Sequence, residues 1–236
     1  MLRPEHFFEL DEETAVFFTG CDYVWQALAH IKEHVARLTG GVQTILGQVM
    51  PGAHLSDRPI YIAEGARVEP GAYILGPAYI GPGAVVRHGA FIREDVILCS
   101  GAIYGHDTEA KNALLLPGAH APHFNYVGDS ILGRRVNLGA GTKLSNLGML
   151  SDKDPATGKR PSIQIGVDGR TYDTGLPKLG AILGDDVQTG CNAVLNPGCL
   201  VAPRTLIYAN VSLRKGYYPP DSIIKLRQEI EVAQRE

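Results

Sequence analysis

The sequence predicts an all-β fold, a parallel β-helix of six-residue repeats, with a helical segment before it and a short helix after it. Three observations carry this. Aliphatic residues fall six apart at Ile62, Val68, Ile74, Ile80, Val86, Ile92 and Leu98. Four positions after each stands a small or compact residue: Ala66, Ala72, Ala78, Ala84, Ala90, Val96 and Ala102. Turn formers occupy the positions between, at Gly65, Gly71, Pro77, Gly83, Gly89, Asp95 and Gly101.

A period of six fits neither an amphipathic helix nor an isolated strand, and a short repeat of this kind marks a parallel β-helix. Side chains two apart on a strand share a face, so the small residue and the next aliphatic both point inward. Each hexad is one flat side of a prism, and about three sides make a coil. A coil buries its aliphatic row only on its neighbour, so no coil is stable alone.

The elements follow in order. Phe7, Phe8, Phe17 and Phe18 stand among acidic residues and are expected to dock on the body. DYVWQALAHIKEHVARL reads as a helix capped by Asp22, with Val24, Leu28, Ile31, Val35 and Leu38 on one face, and Gly40-Gly41 stops it. His30 and His34, four apart on this helix, read as solvated histidines. Residues 1–59 form this N-terminal segment, and the coil is expected over 60–216. Its pattern becomes irregular from Cys99 and regains register at Leu132, Leu138 and Leu144. An arm leaves the prism at 148–175, where IQIGVDGRTYDT alternates around Asp168-Gly169, a two-residue hairpin signal. Hexads resume at Leu183, Thr189, Leu195, Val201, Ile207 and Leu213. After Pro219-Pro220, residues 217–236 are expected to close the chain with a charged helix capped by Asp221 or Ser222.

The chain has 236 residues, 44% hydrophobic and 20% charged, an ordinary globular balance. A net charge of −3 gives no electrostatic case for nucleic acid or an anionic membrane. No apolar run approaches the roughly 20 residues that span a bilayer, and MLRPEHFFEL lacks the pattern of a secretory signal. A cytoplasmic location is expected. Cys21, Cys99, Cys191 and Cys199 form no CxxC pair and read as reduced thiols.

Candidate chemistry gathers between residues 88 and 146. His88, His106, His120 and His123 do not reach the ligand count and spacing of a zinc site, so no metal is expected. A single imidazole can instead serve as general base toward an amine or hydroxyl. Arg93 and Lys111 stand 18 apart, the length of a three-hexad coil. They can therefore stack on one side of the prism and clamp a phosphate or carboxylate. Tyr126, Asn137 and Asn146 fall on neighbouring coils. GAGTK at 139–143 lacks the full phosphate-loop spacing, and Asp152 and Asp154 begin a calcium-loop pattern that fails at Thr157.

The run from Arg93 to Val211 resembles the C-terminal acetyltransferase domain of the bifunctional bacterial enzyme that makes UDP-N-acetylglucosamine, and that of archaeal-type sugar-1-phosphate nucleotidylyltransferases. The quoted motifs are PHFNYVGD, GRRVNLGAGTKLSN and PKLGAILGDDV. The resemblance implies a left-handed coil, a homotrimer, and acetyl transfer from acetyl-CoA to the amine of glucosamine-1-phosphate or a related amino-sugar phosphate, without a metal. It implies His123 as general base, Arg93 and Lys111 as phosphate ligands, and Tyr126, Asn137, Asn146 and Lys178 as further substrate ligands. Ala140, Cys191 and Ala209 fall at its acetyl-CoA contacts. Asn146 and Lys178 are supplied there by a neighbouring subunit. Cys191 stands where the bifunctional enzyme has Ser, and residues 1–59 are too few for the nucleotidyltransferase domain, leaving a separate nucleotidyltransferase as a candidate partner. Two other readings remain open at this point: a non-catalytic β-helix that binds a nucleotide sugar or partner enzyme, and acetylation of a nucleotide-linked amino sugar.

Overall fold

A computed structural model describes residues 1–149, 151–231 and 234. The hexads form a three-sided prism of parallel strands. The first face stacks, among others, Ile60–Ile62, Ala78–Ile80, Val96–Leu98, Ala181–Leu183 and Cys199–Val201. The second is a nine-stranded sheet from Gln48–Val49 to Ile223–Ile224. The third carries His54–Leu55, Tyr73–Ile74, Phe91–Ile92 and Lys143–Leu144. Inside, Ile62, Val68, Ile74, Ile80, Val86 and Ile92 are fully buried, and the small residues Ala66, Ala72, Ala84 and Ala90 fill the corners.

Pairing begins earlier than the sequence suggests, at Thr44–Ile45, which lies in register with Tyr61 and Ile62. At the other end the expected C-terminal helix is absent from residues 221–231. Ile223 and Ile224 instead add one more rung, in register with Leu206 and Ile207. Residues 225–231 then leave Leu226 and Ile230 exposed. A short charged segment with no apolar surface to pack on has little to hold a helix. The remainder of that expected helix, at 232, 233, 235 and 236, lies outside the described residues.

The irregular stretch after Cys99 stays within the prism. Partners on the first face are 18 apart at Ile80 and Leu98 but 17 apart at Leu98 and Leu115, and again at Leu115 and Leu132. One residue is missing from the corner between the third and first faces in two successive coils. Strands Glu109–Leu115 and Tyr126–Leu132 therefore run continuously around that corner. Asn112 and Asp129 make the turn with φ of 45° and 43°, a region that Asn and Asp tolerate better than other non-glycine residues.

The first face alone carries a second apolar row. Ile97, Leu114, Ile131, Ile182 and Leu200 stand in register on successive coils and point outward, yet all are buried. The N-terminal segment covers them with Phe7, Phe8, Phe17, Phe18, Trp25 and the face of helix α1 (Ala27–Thr39) that bears Leu28, Ile31 and Val35. The helix starts one turn later than expected. A 3₁₀ turn at Val24–Gln26 precedes it, and Gln26, not Asp22, caps that turn by accepting the Tyr23 N–H at 2.9 Å. Gly40 ends it at φ 61°, ψ 17°.

Polar ties fix this lid. Glu13 accepts from the Ser100 N–H at 2.9 Å and its hydroxyl at 2.7 Å, and Arg134 meets Asp11 at 2.8 Å. Buried Asp185 accepts the Glu9 and Arg134 N–H groups at 2.7 and 2.8 Å, while burial raises its carboxyl above the usual range. The arm hairpin, Gln164–Val167 with Arg170–Asp173, joins the same layer through Ile165 and Val167. Its ring neighbour Tyr172 meets Trp25 edge-on, so the hairpin packs with the lid.

Leu114 therefore behaves as core although it faces outward from the prism. Leu114→Ala is expected to cost about 2–5 kcal/mol in chemical denaturation, the range for a large buried aliphatic. Leu206→Ala, on the outer side of the second face and 41% exposed, is expected to cost under about 1 kcal/mol.

Candidate functional site

The third face orders its outward residues by register. Phe91, Glu109, Tyr126 and Lys143 form one column, and Lys111 lies opposite Gly128. Arg93 falls in the coil before Lys111, its N–H bonded to the Ala110 carbonyl at 2.9 Å. The structure thus brings Arg93, Lys111 and Tyr126 onto one surface.

That surface holds carboxylates that the sequence reading missed. Arg93 Nη1 donates to Glu109 Oε1 at 2.8 Å, and its Nε lies 3.7 Å from Glu94 Oε2. Lys111 Nζ lies 3.7 Å from the other Glu94 oxygen. The bond to Glu109 pushes the guanidinium still higher than its ordinary range. Two cations and two carboxylates leave this cluster close to neutral. The signal was present: Arg93-Glu94 and Glu109-x-Lys111 put an acid beside each base, and coil stacking interleaves them.

Asn146 completes the group from the corner above. The Tyr126 hydroxyl donates to its Oδ1 at 3.4 Å, and its Nδ2 donates to Asp129. Asp129, 6% exposed, also accepts from Asn112 Nδ2 at 2.9 Å. Burial is the main cause that raises the Tyr126 phenol, with Glu109 and Asp129 adding to it, so it stays a neutral donor. Gly128 is required beneath: a Cβ there would lie 2.7 Å from Asn146 Nδ2 and 2.8 Å from the Tyr126 ring. Asn146 thus stands beside Tyr126 of its own chain. The reason is stacking, since it lies one 17-residue coil beyond Asp129.

His123 occupies the corner between the second and third faces and is exposed. Its N–H donates to Asn125 Oδ1 at 3.1 Å, and Asn125 Nδ2 reaches the Gly139 carbonyl at 2.8 Å. Buried Asn125 thus fixes the His123 turn to the next coil, a role legible only once the coil register is known. His106 pairs in register with His123, and the ring centroids of His88 and His106 are 4.4 Å apart. Among the described residues, no group of three or more His, Cys, Asp or Glu side chains is arranged to hold a metal ion.

The His123 corner continues upward through three of the residues singled out in the sequence. Gly141 N–H donates to the His123 carbonyl at 3.1 Å, Asn192 N–H to Ala140 at 2.8 Å, and Asn210 N–H to Cys191 at 2.9 Å. Ala140, Cys191 and Ala209 therefore line one edge. Among the described residues, their own N–H groups find no protein acceptor, which leaves a column of free donors between small side chains. Asn137 is not brought to the third face; it lies on the second, in register with His120 and Gln188. The His120 imidazole is held below its ordinary range by burial, then by Arg87. Lys178 lies at the base of the arm, just before Leu179, whose N–H bonds to the Asn146 carbonyl at 3.1 Å.

The thiols differ sharply along this corner and the core. Cys191 is exposed, while Cys99 and Cys199 are buried, and burial pushes the Cys199 thiol up to about 12. A disulfide reagent such as DTNB is expected to label Cys191 of the native protein first. Cys21 should follow slowly, and Cys99 and Cys199 only on unfolding; peptide mapping of the labelled protein reads this directly.

Comparison with known proteins fits this architecture. Residues 59–94 match the family described as bacterial transferase hexapeptide (six repeats). A bifunctional sugar-1-phosphate nucleotidylyltransferase/acetyltransferase of Sulfurisphaera tokodaii is 34% identical over 163 residues, covering 69% of this chain and 38% of that protein. The bifunctional protein GlmU of Methanococcus maripaludis strain C7 is 35% identical over 106 residues, 45% of this chain and 23% of its own length. The chain thus spans well under half the length of these curated relatives. Among solved structures, the acetyltransferase domain of PglB from Neisseria gonorrhoeae is 18% identical, with a TM-score of 0.29 over 72% of this chain and 57% of that one. Among the described residues, no helix is long and apolar enough to cross a membrane. The matched repeats, together with these relatives, place the chain in the hexapeptide-repeat transferase family.

Proposed function

We propose that this chain transfers an acetyl group from acetyl-CoA to the amine of an amino-sugar phosphate, such as glucosamine-1-phosphate, in a homotrimer. The observation that carries this reading is the adjacency of two surfaces. A polar cluster built on Arg93, Lys111, Glu109, Tyr126 and Asn146 occupies the third face. At its border, His123 heads the column of free N–H groups at Ala140, Cys191 and Ala209. The curated relative named as a nucleotidylyltransferase/acetyltransferase supports the acyl-transfer half of the reading.

In this mechanism Arg93 and Lys111 bind the acceptor phosphate and release part of their pairing with Glu94 and Glu109. Glu109, freed on that side, accepts a hydrogen bond from the neutral substrate amine. Tyr126 donates, and Asn146 both donates and accepts, toward sugar hydroxyls; Lys178 serves as a further substrate ligand. The His123 imidazole removes a proton from the amine, whose nitrogen attacks the thioester carbonyl. A free N–H at Ala140 or Cys191 stabilises the oxyanion as the N–C bond forms. The C–S bond then breaks, and the leaving thiolate takes the proton back from the imidazolium. The small side chains of the column fit an extended thioester arm, which a bulkier residue at 140, 191 or 209 would obstruct.

The test is release of free CoA from acetyl-CoA and glucosamine-1-phosphate by the purified protein. His123→Ala is expected to slow turnover by about a hundredfold or more while the coil stays intact by circular dichroism. Equal rates for wild type and variant would remove His123 from the chemistry. Gly128→Ala, which pushes Tyr126 and Asn146 apart, is expected to raise KM for the acceptor more than KM for acetyl-CoA. Acetyl-CoA should also slow the labelling of Cys191.

A further inference from the structure

The free positive charge of this molecule is not at Arg93 and Lys111. It lies in the arm. Lys153, Lys159, Arg160 and Lys178 line one hollow of about 550 Å³, with Leu147 at its side. Among the described residues none of the four forms an ion pair, although Arg93 and Lys111 both do. Of the four acids of the arm, Asp152, Asp154, Asp168 and Asp173, none forms an ion pair with these cations among the described residues, and two are hydrogen-bonded within the arm. Asp154 accepts the Ala156 and Thr157 N–H groups at 2.8 Å each, and Asp173 accepts the Ser162 hydroxyl and the Gly175 N–H. Arg160 uses one N–H on the Ser151 carbonyl and keeps the others of its fork.

Four like charges around one hollow repel each other, and an entering anion relieves that repulsion while gaining charge-assisted hydrogen bonds. The hollow also stands next to the candidate site. The chain returns from the arm through the Leu179 N–H on the Asn146 carbonyl and the Gly180 N–H on the Asp129 carbonyl, at 3.1 and 2.8 Å. Asn146 and Asp129 are the corner of the third-face cluster.

We infer that the arm hollow is a phosphate subsite, formed by Lys153, Lys159 and Arg160 with Lys178 as its inner wall, that takes a phosphate or diphosphate group of one of the two reaction partners. Its anion binding stands on the geometry alone; the identity of the ligand rests on the acetyl-transfer reading. Two sources share this chemistry: the phosphates of the acetyl-CoA nucleotide and those of the sugar acceptor. The arm then supplies the uncompensated charge that the near-neutral Arg93–Lys111 cluster lacks.

Calorimetric titration with inorganic pyrophosphate tests the subsite without any turnover. The wild-type protein is expected to bind it with an affinity that falls as salt rises. The exposed or half-exposed triple variant Lys153→Gln, Lys159→Gln, Arg160→Gln is expected to lose at least about tenfold, the scale of one charge-assisted contact. Arg204→Gln, whose cation is paired with Asp221 at 2.6 Å away from both sites, should change it by under about twofold. Equal pyrophosphate binding by wild type and triple variant overturns the subsite, even if acetyl transfer proceeds. Steady-state kinetics of the triple variant then separate the sources. A raised KM for acetyl-CoA, absent with the 3′-dephospho donor, assigns the nucleotide 3′-phosphate; a rise with both donors assigns its diphosphate. A raised KM for the sugar phosphate assigns the acceptor. Weakened pyrophosphate binding with every KM unchanged overturns the link to the reaction. Absence of CoA release in the wild type would sink the acetyl-transfer reading while leaving the pyrophosphate result to stand or fall by itself.

Discussion

A coil of this prism cannot hide its own apolar row. Ile62, Ile80 and Leu98 are each fully buried because the coil on either side closes over them, and the same is true on the other two faces. The backbone is equally dependent, since strand N–H and C=O groups find partners in the next coil. Both requirements are met only when the coils stack in strict register. Register is what converts sequence distance into proximity: residues one coil apart become neighbours on the surface as surely as in the core. Arg93 beside Lys111 and Tyr126 below Asn146 are consequences of packing that happens inside.

The shortened corner shows how little is needed to build a site on such a scaffold. Removing one residue from two successive turns merges two strands of the prism and sets Asn112 and Asp129 at one edge. Their positive φ angles would be strained in most residue types, and here the same two side chains bond each other. Asp129 then gathers Asn146, which positions Tyr126 over Gly128. A change that looks in the sequence like a loss of pattern is the step that creates a buried polar anchor under the third face.

This explains which parts of the molecule could be read in advance. The hexads were legible because one inward row per face repeats at a fixed spacing. The lid contacts were less so: VIL, ALL, SIL, AIL and CLV show apolar residues on both sides of the first-face strands, the pattern of a sheet buried twice. A periodicity search credits only one of those rows. The terminal helix failed because DSIIKL carries a hexad rung and a capped helix start in the same letters, and the free edge of the last coil favours the rung. Among the candidate site residues, coil spacing brings Arg93, Lys111, Tyr126 and Asn146 onto one surface, while Asn137 falls on the second face. Glu94 and Glu109 were not legible, because their effect depends on interleaving between coils rather than on any motif.

The lid also decides where chemistry can occur. A three-sided prism has three surfaces, and the N-terminal segment with the arm hairpin occupies the first. Solvent, ligand or another copy of the chain meets the coil on the second and third faces and on the corner they share. That corner carries His123 and the column Ala140, Cys191 and Ala209; the third face carries the Arg93–Lys111 cluster. A rigid coil puts each of these on fixed backbone, whereas residues 152–159 of the arm are exposed and stand outside the stacked strands. Its base is tied to Asn146 and Asp129, while its cations stand outside the stack. Charge at residues 153–160 can therefore vary while the coil's packing stays fixed, because the arm's buried residues, Ile165 and Val167, lie beyond them.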